Sequence, residues 1–177
     1  MKKICVVSGS RAEYGQLKPL LTCLQMENNI ELSFIVTGAH LNAEFGNTLE
    51  EINADCIKIT EKIPLNLQGD SKKDMAISTG EAIRHFANYF EINQPDLLVL
   101  IGDRYEIFAI SVAASLQVIP IGHICGGSST VGGVDEFLRH SISKMSYLHF
   151  CSTETYRQRV IQMGEDPVRV FNSGAPS

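Results

Sequence analysis

Short apolar runs and longer amphipathic stretches alternate along this chain. Residues 3–8, 31–37, 55–59, 96–101, 119–124, 149–152 and 168–171 are dense in branched apolar side chains and read as seven strands. Between them lie stretches with helical spacing. Residues 13–25 carry Leu17, Leu20, Leu21 and Leu24, with Pro19 allowing a kink or a late start. Residues 44–52 predict a short helix. Residues 74–92 predict a long one with Met75, Ile83, Phe86, Ala87 and Phe90 on one side. Further helices are expected over 105–117, 135–145 and 153–163, the last with Thr153 as its N-cap. Residues 61–70 are polar and hold Pro64 and Gly69, so they read as a surface loop.

The run Leu97-Leu98-Val99-Leu100-Ile101 is apolar without alternation, as expected of a central parallel strand covered on both faces. Strands alternating with helices predict an α/β, doubly wound parallel sheet with right-handed crossovers, Rossmann-like in layout. At 177 residues the chain fits one domain, assigned here to 1–171. The tail Asn172-Ser173-Gly174-Ala175-Pro176-Ser177 has hinge composition and reads as the start of a connection to a further domain. No internal repeat is visible.

The net charge of −5 and the lack of a basic run argue against nucleic acid or an anionic membrane surface as partner. No apolar run reaches the roughly 18–20 residues that span a bilayer, and the N-terminus is too short in apolar residues for a signal peptide. Five cysteines, odd in number, scattered and without a CxxC pair, read as reduced thiols of a cytoplasmic protein. No Cys/His cluster has metal-ligand spacing, and the first strand–helix turn lacks dinucleotide glycines. Neither a metal nor a nicotinamide cofactor is expected.

The candidate chemistry gathers behind the fifth strand. His123-Ile124-Cys125-Gly126-Gly127-Ser128 runs on through Gly132-Gly133 to Asp135, where a helix begins. Open α/β sheets bind ligands where a strand empties into such a loop. The glycines allow close backbone approach, and the helix start offers N–H donors to an anion. Asp135 and Arg139 are four apart, so they either pair along the helix or line a cleft together with His140. After the first strand, Arg11 in Ser8-Gly9-Ser10-Arg11 either faces solvent or offers a cation to a phosphate or carboxylate. After the fourth, Asp103 in Gly102-Asp103-Arg104-Tyr105-Glu106 either caps a helix or points into the crevice as acid or base. Glu106 suits the helix macrodipole.

Together these motifs resemble the hydrolysing UDP-N-acetylglucosamine 2-epimerase family of sialic and legionaminic acid biosynthesis. The likeness rests on Ser8–Gly15, Val36-Thr37-Gly38-Ala39-His40-Leu41, Gly102–Glu106 and His123 through His140. It extends to Ser152–Arg157 and Met163-Gly164-Glu165-Asp166-Pro167. The resemblance implies two Rossmann-like domains, similar to B-type glycosyltransferases, with the active site between them; this chain supplies the first. It also implies the reaction. A base removes the proton at sugar C2, UDP leaves by elimination, and hydration of the glycal gives the free 2-epimer, N-acetylmannosamine from UDP-N-acetylglucosamine. By matching position Asp103, Asp135 and His123 are the expected catalytic residues. Arg11, Gly126, Gly127, Ser128, Arg139 and His140 are expected to bind substrate.

The chain departs from the family pattern after the Gly-Gly pair, where a Glu is usual and Ser128 stands here. Just before the pair, where some members have Glu or His, it has Cys125. A serine does not replace a carboxylate base, although a thiol of lowered pKa can move protons. Two alternatives follow: a sugar- or anion-binding module without turnover, or an epimerase acting on another acetamido sugar nucleotide. One domain of a two-domain enzyme exposes the face its partner would cover, so Ile107, Phe108, Phe137 and Met145 are not all expected to be buried within one chain; a homo-oligomer is expected, and the resemblance points the same way.

Overall fold

The computed structural model describes residues 1–42, 48–65, 71–130 and 133–176. Among them one parallel sheet runs β3-β2-β1-β4-β5-β6-β7. Its strands are β1 Lys2–Ser8, β2 Ile30–Thr37, β3 Glu61–Ile63, β4 Leu97–Ile101, β5 Ile121–Ile124, β6 Leu148–Cys151 and β7 Val170–Asn172. The helices are α1 Arg11–Met26, α2 Thr48–Ala54, α3 Lys72–Ile92, α4 Tyr105–Leu116, α5 Asp135–Met145 and α6 Glu154–Gln162. The doubly wound α/β expectation holds.

Side-chain alternation on the central strands builds two cores. Cys5, Val7, Ile35, Leu98 and Leu100 face α3, α4 and α5, meeting Phe86, Phe90, Ile107, Ile110 and Ile142. Val6, Phe34, Val36, Val99 and Ile101 face α1 and α2, meeting Tyr14, Leu17, Leu21 and Ile52. Strands buried on both sides have no polar face, which is why β4 reads as continuous apolar sequence. Because all pairings are parallel, every strand delivers its following loop to one edge. The order reverses between β1 and β4, and the crevice there is where such sheets take ligands.

The third strand is a correction. It is Glu61–Ile63, paired with Ile35–Thr37, and not residues 55–59. Ile57 is nonetheless buried, packed as irregular chain on the α1 side of the sheet. A three-residue edge strand with two exposed members carries almost no apolar signal. The loop expected over 61–70 therefore begins with β3, and residues 66–70 lie outside the described part. Of the helix expected over 44–52, residues 44–47 also lie outside it. α1 starts at Arg11 on the Ser10 N-cap and keeps Pro19 inside.

Candidate active site

β4 ends at Ile101, and Gly102 turns the chain with φ of 82°. Asp103 follows, but it does not cap α4; Arg104 occupies the N-cap position without a side-chain bond. The Asp103 carboxylate instead accepts from Arg139 Nη2. Arg139 is 5% exposed. Its guanidinium also donates to the Ser128 carbonyl (3.0 Å), Thr130 Oγ1 (2.8 Å) and Glu136 Oε2 (3.1 Å). One planar fork thus fastens the β4 turn, the Gly-rich loop and α5 together, a task suited to arginine's fixed donor geometry. Arg139 pairs with Asp103 and Glu136, so the Asp135–Arg139 helix pair foreseen as an alternative does not form.

Glu136 is the second organiser, and sequence reasoning missed it. Its carboxylate accepts from the Thr130 backbone N–H at 2.6 Å, from Ser129 Oγ at 3.2 Å and from His140 Nε2 at 3.1 Å. The Thr130 amide foremost, then His140 and Ser129, hold the Glu136 carboxyl below its ordinary range. The sequence signal was an acid directly beside Asp135 at the start of a helix that follows a glycine loop.

The Gly126-Gly127 pair is required by crowding. A Cβ on Gly126 would lie 2.9 Å from Ser143 Oγ and 3.0 Å from His123 Nδ1. Gly127 has φ of 80°, and a Cβ there would meet the Tyr156 carbonyl and Val160. The Gly127 carbonyl accepts from Arg159, so two arginines hold successive loop carbonyls from the protein side. Residues 131–132, including Gly132, lie outside the described part.

His123 is fully buried within β5. Its Nε2 meets the Gly102 carbonyl at 2.8 Å and its Nδ1 meets Ser143 Oγ at 3.1 Å. Burial, above all, pushes its pKa down to about 4, so the ring is neutral at pH 7. A neutral ring donating to a carbonyl from Nε2 accepts the serine O–H at Nδ1. Both nitrogens are spent on the scaffold, and the ring braces the turn that carries Asp103.

Asp135 opens α5 as an exposed residue at the same sheet edge. Arg11 stands at the start of α1 on that edge, but its guanidinium is exposed and pairs with Glu51 of α2 at 2.9 Å. The structure therefore joins Asp103, Ser128, Arg139 and His140 in one bonded network. Asp135 immediately precedes Glu136 of that network at the start of α5, whereas Arg11 takes its ion pair outside the network, with Glu51. Cys125 sits in a left-handed conformation, φ 67°, half-buried. Burial, and secondarily the charge of Asp103, push its thiol up, opposite to what proton transfer would need.

Of the four apolar side chains expected near a contact face, Ile107 is a core residue and Phe108 and Met145 pack partly against that core. Phe137 is 72% exposed.

A doubly wound parallel sheet, with a glycine loop and a carboxylate–arginine pair at the carboxyl edge of its strands, is a Rossmann-like domain. Residues 22–177 match the family model described as UDP-N-acetylglucosamine 2-epimerase, and the chain belongs to that family. It is 45% identical over 174 residues to the GDP/UDP-N,N′-diacetylbacillosamine 2-epimerase (hydrolyzing) of Campylobacter jejuni, covering 98% of this chain and 45% of that one. It is also 45% identical over 175 residues to polysialic acid biosynthesis protein P7 of Escherichia coli, covering 99% and 45%. The crystal structure of the UDP-GlcNAc 2-epimerase of Neisseria meningitidis bound to UDP-GlcNAc superposes with a TM-score of 0.85 at 26% identity, covering 99% and 46%. The chain thus spans about half the length of the curated relatives it matches. Among the described residues, no helix is long and apolar enough to cross a membrane.

Proposed function

We propose that this chain is the N-terminal half of a hydrolysing sugar-nucleotide 2-epimerase, with residues 1–171 as the domain and 172–177 leading to a second, nucleotide-binding one. The observation that carries the reading is the Asp103–Arg139 pair under the Gly-rich loop, in a chain 45% identical to a relative named for that reaction. UDP-N-acetylglucosamine is the simplest substrate. A diacetylated sugar nucleotide is the finer alternative, favoured by the name of the Campylobacter jejuni relative.

In this reading a carboxylate, Asp103 or Asp135, removes the proton at C2. The C1–O bond to UDP breaks, giving UDP and a glycal. Water then adds its hydroxyl at C1 and a proton at C2 from the opposite face, releasing the free 2-epimer. Arg139 holds the Asp103 carboxylate in place, while His123 braces Gly102 and acts as a positioning residue. Gly126, Gly127, Ser128 and His140 form the substrate side, and Arg11 joins them only by leaving its pair with Glu51. No metal or organic cofactor takes part. The reaction draws on sugar nucleotides, so the cytoplasm is the expected compartment.

Ser128 supports a second reading. With no carboxylate there, and with the Cys125 thiol raised, the chain binds a sugar nucleotide without turning it over. Assaying UDP release from both sugar nucleotides separates the two. The chain joined to the second half of the Campylobacter jejuni relative is the protein to use. Release above a no-enzyme control supports the enzyme; saturable binding without release supports the module.

A further inference from the structure

The closing of the β1, β2 and β4 turns on one another brings two buried carboxylates together outside the Asp103 network. Glu13 projects from the first turn of α1 and is 7% exposed; Glu106, in the first turn of α4, is fully buried. Both border the contact where Ala39 N donates to the Gly9 carbonyl at 2.8 Å. Glu13 Oε2 accepts from Gly9 N at 2.6 Å, while its Oε1 is buried without a partner. A Cβ built on Gly9 would lie 3.9 Å from that oxygen, and one on Gly38 would lie 3.6 Å from Glu106 Oε1.

One guanidinium serves both acids. Arg104 binds Glu106 twice, at 2.9 and 3.2 Å, and lies near enough to Glu13 to attract it. Among the described residues, no second cation acts on Glu13. Arg11 is turned outward onto Glu51. His40, from the segment after β2, is buried between Ser8 and Thr48 and held neutral by burial, its pKa down to about 4. Asp103, two residues before Tyr105 and α4, is committed to Arg139. Ser10 contributes a hydroxyl only.

We infer that Glu13 is a proton-holding latch: as a neutral acid it lets the turns bearing Arg11, Gly38 and Arg104 close on one another, and on ionising it repels Glu106 and loosens them. An unpartnered buried oxygen is tolerable on a neutral carboxyl and costly on an anion. Burial, opposed by the Gly9 amide and reinforced by Glu106, moves the Glu13 carboxyl up to about 7. The closed arrangement therefore belongs to the acid side of neutrality and slackens above it, independently of whether the chain turns over a sugar nucleotide.

The test is carboxyl-carbon NMR of the glutamate-labelled 177-residue chain, titrated from pH 5 to 9 with sequential assignment. The expected result is a Glu13 midpoint near 7, with the Gly9, Gly38 and Ala39 amides moving at the same midpoint. Glu106→Gln, which removes the opposing charge and frees Arg104, should move that midpoint down. Glu13→Gln should leave the three amides flat across the range. A Glu13 midpoint in the ordinary carboxylate range, amides that do not follow it, or a midpoint unmoved by Glu106→Gln each overturns the inference. The first two of these measurements use the unaltered chain, so they decide the matter even where a variant fails to fold.

Discussion

Replacing Arg139 with methionine keeps the packed stem and removes the fork. Asp103, the Ser128 carbonyl and Thr130 Oγ1 then lose a shared donor at once. Taking one partner from a buried ion pair costs about 3–5 kcal/mol. The Asp103 side chain is 24% exposed, so water recovers part of this, and a loss of about 2–4 kcal/mol is expected. Urea unfolding followed by circular dichroism measures it. With a slope of about 2 kcal/mol per molar, the midpoint should fall by about 1–2 M with the slope unchanged. Arg139→Lys keeps the charge without the fork, and its midpoint should lie between the two. A methionine variant within about 0.5 kcal/mol of the parent, the range of an ordinary surface change, would refute the claim that this side chain holds the site together.

Glu13 is raised to about 7 in the fold against an ordinary 4.5, so between those values the folded state holds a proton that the unfolded chain has lost. Its contribution is therefore present at low pH and falls as pH rises to 7, by about 1.4 kcal/mol per unit. Unfolding midpoints of the parent and Glu13→Gln should converge or cross over this window, and parallel profiles would contradict the assignment. Gly127→Ala, at a φ of 80° against the Tyr156 carbonyl and Val160, should cost about 2 kcal/mol or more in the same urea assay; a neutral change would contradict the crowding argument. Phe137, exposed on α5, is the candidate contact residue of a two-fold dimer. Sedimentation at micromolar concentration should show a dimer that Phe137→Ser weakens, and a monomeric parent chain would count against it.

The parts of the fold legible in sequence were those whose side chains answer to one environment. β4 and β5 lie between two helical layers, so their apolar runs announced themselves. β3 did not, because its three residues sit at a sheet edge while nearby Ile57 is buried without being in a strand. The loop at 123–135 was legible from its glycines and polar residues, and the structure gives a steric reason for Gly126 and Gly127. What the sequence left open was which partner each charge takes. Asp103 fitted a cap or a crevice carboxylate, and only the packing of α5 against α4 brings Arg139 to it. His123 read as a site histidine because it ends a strand, yet in a strand the ring points into the layer that its register dictates. Ser10-Arg11-Ala12-Glu13 has the spacing of a capping box. Ser10 does accept from Glu13 N, but the Glu13 carboxyl reaches Gly9 N, one residue further back.

The proposed chemistry is tested most directly by running it in heavy water with Ser128→Glu in the chain joined to the second half of the Campylobacter jejuni relative. If this half supplies the C2 acid–base groups, UDP and free sugar appear together and the sugar carries deuterium at C2. Restoring the missing carboxylate should raise the rate by about 10²–10⁴ over Ser128, as expected of one catalytic acid or base. Of Asp103→Asn and Asp135→Asn in the same protein, the one that removes the C2 base should abolish both signals. A folded Ser128→Glu hybrid that binds the sugar nucleotides yet releases no UDP, or that yields a sugar free of deuterium, would contradict the account.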